Sequence, residues 1–261
     1  MNTLSGSVSI RFENAIAIVQ LERPEKLNAL TPEMIDQLDD IAKSLDQRTD
    51  LIAVIITATG DRAFCVGADI HVWAALQPID MWRHWTRKGH RVFDLWARLS
   101  LPVIAAINGH AFGGGLELLA TADIRVTDPN ATFALPEAGI ATCPGWSGTQ
   151  RLVRLIGASQ VKYLAMTGRK MDAEQALKFG LVQEISHSGE VLSSAMRIAE
   201  EISHKAPISI QLTKQLIDAG EGHNLAAVLE GMAGALAATT EDAKEGLASF
   251  SERRPAEYKG I

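Results

Sequence analysis

The sequence predicts an α/β protein up to about residue 190, followed by helices alone to residue 261. Three observations carry that prediction. The runs at residues 52–57 and 103–107 are continuously apolar, as strands buried on both faces are. Each is followed by a loop of small residues and then by a helical pattern, an order that favours right-handed crossovers. Beyond Gly189 apolar residues recur only at helical spacing, and no Ser- or Gly-rich linker separates this part from the rest. The helical part is therefore expected to pack on the core or on a neighbouring subunit. The division is drawn as 1–190 for the core and 191–261 for the helical region, and no fixed-period repeat is visible.

In chain order, residues 7–12 and 15–21 alternate or run apolar around Glu13-Asn14, a hairpin signal. Thr31 before Pro32 is a helix start, and Met34, Ile35, Leu38, Ile41, Ala42 and Leu45 form its apolar stripe. Residues 60–70 read as a loop. Residues 82–99 are helical in period and stop at Leu101-Pro102. Residues 108–115 form a glycine loop that hands over to a helix through residue 122. Strands follow at 124–127 and 131–135, then a loop at 144–149 entering a helix near Gln150. Asp172 caps a short helix stopped by Gly180, residues 181–185 are the last strand, and helices cover 191–203, 207–219, 226–238 and 240–251.

Composition narrows the classes. Apolar residues make up 47% of the chain, charged residues 21%, and the net charge is −6 without a long basic run, which disfavours nucleic acid and acidic membrane surfaces as partners. No apolar run approaches the roughly 20 residues needed to span a bilayer. Met1 to Ser5 lack a charged segment leading into an apolar one, so no secretory leader is expected. Cys65 and Cys143 are far apart, form no CxxC pair and are expected to be small buried residues. The seven histidines lack HExxH or HxH spacing, so no metal site is expected. A cytoplasmic setting follows as the default.

Chemistry concentrates at two glycine-bearing turns, Gly67-Ala68 and Gly113-Gly114-Gly115, each after a buried strand. One backbone N–H from each could meet on a single oxygen and form an oxyanion hole. Helix-on-strand packing or a phosphate cradle are the alternatives, although neither loop has P-loop or dinucleotide-binding spacing. Glu117 follows the second turn in apolar surroundings, and Glu137 comes twenty positions later after Pro136. A carboxylate in such a place is costly unless paired or functional, and burial would raise its pKa into the range of proton transfer. Each could equally support a helix start. Gly145-Trp146-Ser147-Gly148 is not a GxSxG elbow, so a serine hydrolase is not supported.

Several stretches, in order, resemble the crotonase (enoyl-CoA hydratase/isomerase) superfamily. They are Arg23-Pro24-Glu25-Lys26-Leu27-Asn28-Ala29-Leu30, Ala63-Phe64-Cys65-Val66-Gly67-Ala68-Asp69-Ile70, and Ala106-Ile107-Asn108-Gly109 through Gly113-Gly114-Gly115-Leu116-Glu117-Leu118. Phe133-Ala134-Leu135-Pro136-Glu137, Pro144-Gly145 to Gly148-Thr149-Gln150-Arg151-Leu152, and Phe250-Ser251-Glu252-Arg253-Arg254-Pro255-Ala256-Glu257-Tyr258 complete the series. The resemblance spans essentially the whole chain. It implies a spiral of ββα units with a C-terminal helical trimerisation region, assembled as a homotrimer or homohexamer. It implies an acyl-CoA thioester as substrate and no separate cofactor, coenzyme A being part of the substrate.

By position, the resemblance assigns the thioester oxygen to the N–H groups of Ala68 and Gly114. It assigns the coenzyme A path to Lys26, Leu27, Ala29, Ala68, Asp69 and Ile70, and the acyl end to Pro144, Gly145 and Trp146, with Trp73 and Trp82 nearby. Glu117 and Glu137 fall where hydratases hold a water between two glutamates, Glu117 to deprotonate the water and Glu137 to protonate C2. The expected activity is hydration of a trans-2-enoyl-CoA to a 3-hydroxyacyl-CoA, a step of β-oxidation. Relatives that isomerise typically keep only the later glutamate, so an isomerase or a specialised hydratase-lyase is the alternative. Trp146 stands where many relatives have a small residue, and His71 where many have Lys, so both bear on substrate choice. RNA binding through Arg83, Arg87, Lys88, Arg91 and Arg98 is the reading from a different class, and the net charge opposes it.

Overall fold

The computed structural model describes residues 6–260, so the expectation about Met1 to Ser5 lies outside the described residues, as does the side chain of Trp73. The chain opens with the hairpin of β1 (Ser7–Glu13) and β2 (Ile16–Glu22), turning at Asn14 with φ of 54°. α1 (Pro32–Asp46) starts where Thr31 accepts a hydrogen bond from the Met34 N–H at 3.3 Å, and its stripe Met34, Ile35, Leu38, Ala42 and Leu45 is buried.

Three ββα turns follow. The first has β3 (Ala53–Ala58) and β4 (Ala63–Cys65), then α2 (Ile70–Trp73), α3 (Pro78–Asp80), a π-helical turn (Met81–Thr86) and α4 (Arg87–Ala97). The second has β5 (Val103–Ile107), β6 (His110–Phe112) and α5 (Gly114–Leu119). The third has β7 (Ile124–Thr127), β8 (Thr132–Ala134), a 3-10 turn (Glu137–Ile140), α6 (Gly148–Ile156) and α7 (Ala158–Thr167). β9 (Met171–Asp172), α8 (Ala173–Phe179), β10 (Glu184–Ile185) and α9 (Val191–Ser203) close this part.

In each turn the first strand joins one sheet and the second joins another. The six-stranded sheet runs β1-β2-β3-β5-β7-β10, parallel except for the β1–β2 hairpin. The four-stranded sheet runs β4-β6-β8-β9, and only its β8–β9 pair is antiparallel. This is the spiral of ββα units. Its consequence for function is geometric: the loops leaving β4, β6 and β8 all emerge from the parallel strands of one small sheet.

The apolar runs are buried on two faces, which explains their lack of alternation. Val54, Ile56, Val103, Ala105 and Ile107 enter the core shared with α1 and α4, whereas Ile55, Ile104 and Ala106 meet Val191, Ala195 and Ala199 of α9. α9 therefore belongs to the sheet it covers. The first compact unit accordingly reaches to Pro207 and the second begins at Ile208, where the sequence places the change near residue 190. In the second part α10 (Pro207–Gly220), α11 (Leu225–Ala238) and α12 (Glu241–Glu252) are present, α12 capped by Thr240, whose hydroxyl accepts from the Ala243 N–H at 3.0 Å.

Four local expectations differ. Residues 63–65 and 110–112 pair as strands rather than loops, because three-residue segments are too short to show alternation. The helix expected over 82–99 begins as the π-helical turn. α7 is an additional helix, separated from α6 by Gly157 at φ of 79°. Cys143 is exposed, because it lies in the irregular loop before α6, while Cys65 at the end of β4 is buried.

Candidate active site

The two glycine loops meet. Gly67 leaves β4 at φ of 97°, and a Cβ there would lie 3.0 Å from the Phe112 carbonyl and 3.1 Å from the Gly114 nitrogen. Only a glycine lets the backbones approach this closely. The Gly67–Asp69 strand edge is pinned to Leu30, whose N–H donates to the Gly67 carbonyl at 2.8 Å and whose carbonyl accepts from the Asp69 N–H at 2.9 Å. Gly113 turns the chain at φ of 50° into α5, so Gly114 offers the first N–H of that helix. Among the described residues, neither the Ala68 N–H nor the Gly114 N–H has a backbone acceptor. Both residues line one cavity of about 130 Å³.

Two carboxylates line the same cavity. Glu117 is 2% exposed, and its Oε1 accepts from the N–H groups of Trp146 at 2.9 Å and Gly148 at 2.8 Å. Burial raises its pKa, and those N–H groups and the Arg151 charge act in the opposite direction. Glu137 is 9% exposed, and among the described residues its Oε2 has no hydrogen-bond partner. Burial, reinforced by the charge of Glu117, pushes its pKa up to about 7. An unpaired buried carboxylate oxygen on a residue that lines a cavity is a group open to pairing with a ligand or water. The two carboxyls thus differ: one is fixed by backbone donors, the other is free to exchange a proton near neutral pH.

The loop that holds Glu117 is itself held from α4 and α6. The Ser147 hydroxyl lies 2.8 Å from His90 Nδ1, and His90 Nε2 lies 3.3 Å from Asp94 Oδ2. Asp94 also pairs with Arg151, whose Nη1 donates to the Trp146 carbonyl at 3.3 Å. The indole of Trp146 is packed between Trp85 and Phe93, with ring centroids 5.3 and 5.1 Å away.

A family model described as "Enoyl-CoA hydratase/isomerase" matches residues 11–260. The chain belongs to this family of enzymes. Over 253 residues it is 36% identical to the short-chain-enoyl-CoA hydratase of Clostridium acetobutylicum, covering 96% of this chain and 97% of that protein. It is 38% identical over 262 residues to the probable mitochondrial enoyl-CoA hydratase 2 of Arabidopsis thaliana, covering all of this chain and 85% of that one. The crystal structure of an enoyl-CoA hydratase from Bacillus anthracis matches with a TM-score of 0.81 at 34% identity, covering 97% of this chain and 99% of the other. The crotonase fold read from the sequence is thereby established.

Of the residues that the crotonase resemblance singles out, Ala68, Ile70, Gly114, Glu117, Glu137, Gly145 and Trp146 converge on the cavity. Lys26, Leu27, Ala29, Asp69 and Pro144 stand outside its lining. Lys26 is exposed on a 3-10 turn, and the Leu27 carbonyl accepts from the Val66 N–H at 3.2 Å, which ties that loop to the one bearing Ala68. Asp69 forms a buried ion pair with Arg23 at 2.7 Å and caps α2 by accepting from the His71 N–H at 2.9 Å, so its carboxylate holds the loop. Trp82 is 55% exposed and packs on Arg87, and Trp85 supplies the aromatic wall instead. The sequence does not reveal the Trp146 and Gly148 N–H groups that hold Glu117, nor the His90–Ser147 contact. The i, i+4 pair His90 and Asp94 is visible in the sequence; the partner loop, 57 residues from His90, is not.

Among the described residues, no three His, Cys, Asp or Glu side chains cluster as metal ligands.

Proposed function

We propose that this protein is an enoyl-CoA hydratase, adding water across a trans-2-enoyl-CoA thioester to give a 3-hydroxyacyl-CoA. The observation that carries the reading is the pair of unlike carboxyls, Glu117 and Glu137, in one cavity with the free N–H groups of Ala68 and Gly114. The N–H groups would donate hydrogen bonds to the thioester oxygen and make C3 electrophilic. One such donor is typically worth about 3–4 kcal/mol of barrier. Glu117, ionised, would take a proton from the water as its oxygen bonds to C3 on one face. Glu137, protonated, would deliver a proton to C2 on the same face as the enolate collapses, a syn addition. The two carboxyls would titrate as a coupled pair. In this reading the chain supplies every acid and base itself, and coenzyme A enters only as part of the substrate. The Clostridium relative is named for this reaction, which supports the assignment.

The reading extends to the assembly, a homotrimer or a dimer of trimers, and to a cytoplasmic place in fatty acyl-CoA breakdown. Apolar side chains exposed on the C-terminal helices support the first, among them Ile208, Leu236, Leu247 and Phe250. Light scattering coupled to size exclusion gives the mass directly, and a monomer at micromolar concentration would end that part.

Loss of the conjugated-thioester absorbance of crotonyl-CoA tests the activity. No loss with short, medium or aromatic enoyl-CoAs would sink it. Glu117→Gln then separates hydratase from isomerase. Hydration should fall about 10²- to 10⁴-fold, whereas a double-bond shift carried by Glu137 alone would survive.

A further inference from the structure

The hydration chemistry uses Trp146 only through its backbone N–H, leaving its indole unexplained. That indole is 3% exposed and spans the cavity wall from the oxyanion turn to α4. A Cβ on Gly114 would lie 2.7 Å from Trp146 Cζ3, and one on Gly89 would lie 2.2 Å from its Nε1. Gly89 is buried in the interior of α4, where glycine is unfavourable by about 1 kcal/mol relative to alanine. The glycine is accounted for by the indole, which occupies the place of its missing side chain. Behind the ring stands Phe93, fully buried, and beside it Trp85.

We infer that Trp146, seated against Gly89, is the stop that sets acyl length, and that the substrates are thioesters of short acyl chains, about four to six carbons. This rests on the hydratase reading above. The cavity of about 130 Å³ is of the size that holds a single six-carbon ring, near 150 Å³ in a protein core. The acyl carbons beyond C3 must share that space with the attacking water. Further methylenes meet the indole. Removing it would join the cavity to an apolar space bounded by Gly89, Phe93 and Trp85, where added methylenes would be bound rather than repelled.

The test is kcat/KM of the wild type and of Trp146→Ala on trans-2-enoyl-CoAs of four, six, eight and ten carbons. The wild type should fall at least about tenfold between six and eight carbons, within the discrimination that hydrophobic pockets reach. Trp146→Ala should raise the eight-to-four-carbon ratio at least about tenfold. The ratio cancels any general loss from a looser Glu117. Gly89→Ala should have the opposite effect, driving the indole into the cavity and losing six carbons before four. A wild type that turns over eight and ten carbons as well as four, or an unchanged ratio in Trp146→Ala, overturns the inference. If Trp146→Ala does not fold, Trp146→Leu carries the same comparison. If no enoyl-CoA is hydrated, the hydratase reading fails by itself. Calorimetric binding of butanoyl- and octanoyl-CoA then decides the stop: a rise of about tenfold or more in relative octanoyl affinity in the variant upholds it, and no change overturns it.

Discussion

Gly148 and Glu117 are packed so closely that a Cβ on Gly148 would lie 2.2 Å from Glu117 Cγ. The same glycine donates its N–H to Glu117 Oε1 at 2.8 Å. Gly148 therefore both admits the carboxylate and aims it. Gly148→Ala should displace Glu117 by a large part of an ångström and lower kcat by about 10²-fold, with KM for the thioester little changed. Steady-state kinetics on crotonyl-CoA checks this. A parallel rise in KM would instead mean that the change closes the cleft.

The rate should have a bell-shaped dependence on pH. In the proposed mechanism Glu137 must be protonated to give its proton to C2, and its pKa of about 7 would place the alkaline limb of hydration kcat/KM near neutrality. The same mechanism needs Glu117 ionised, so activity should be lost as pH falls through its own raised pKa. Glu137→Gln should abolish most of the rate. A profile flat from pH 6 to about 9 would contradict the assignment of Glu137 as the acid.

The raised pKa of Glu137 also has a stability consequence. The folded protein binds this proton more tightly than the unfolded chain, whose carboxyl titrates near 4.5. The contribution is fully present below that value and is lost as pH rises through about 7. Glu137→Gln removes the titration, so the variant should gain on the order of 1–2 kcal/mol over wild type at pH 8 and little at pH 4, after allowance for solvent screening. Urea denaturation at the two pH values measures it. An equal difference at both would show that packing, not charge, is responsible.

Asp94 reaches Glu117 only through other groups. It pairs with Arg151 and approaches His90, which hold the Trp146 carbonyl and the Ser147 hydroxyl respectively. Asp94→Ala should lower kcat about 5- to 50-fold by loosening the loop that presents two N–H groups to Glu117, with Asp94→Asn recovering part of it. In a double-mutant cycle with Gly148→Ala the losses should fall well short of additive, because both act on the same carboxylate. Additive losses would assign Asp94 to general stability.

The sequence by itself determined the strands at 52–57 and 103–107, the cap at Thr31, the stop at Gly180, the two glycine turns and the two glutamates beside them. These are local matters. Continuous apolar runs, side-chain caps and positive-φ glycines are encoded within a few residues and need no distant partner. The residues it singled out for the reacting end, Ala68, Gly114, Glu117, Glu137 and Trp146, share one cavity. Tertiary structure alone decided what holds them. Glu117 receives its N–H donors from 29 and 31 positions downstream, and Ser147 meets His90 across 57. Such bonds depend on how the ββα turns stack, and no periodicity along the chain reports a contact of that separation. The same limit hid Gly89, whose absent side chain has meaning only beside the Trp146 indole. It also hid the difference between the two glutamates, since the number of N–H donors that reach each carboxyl, not residue type, decides how it is held.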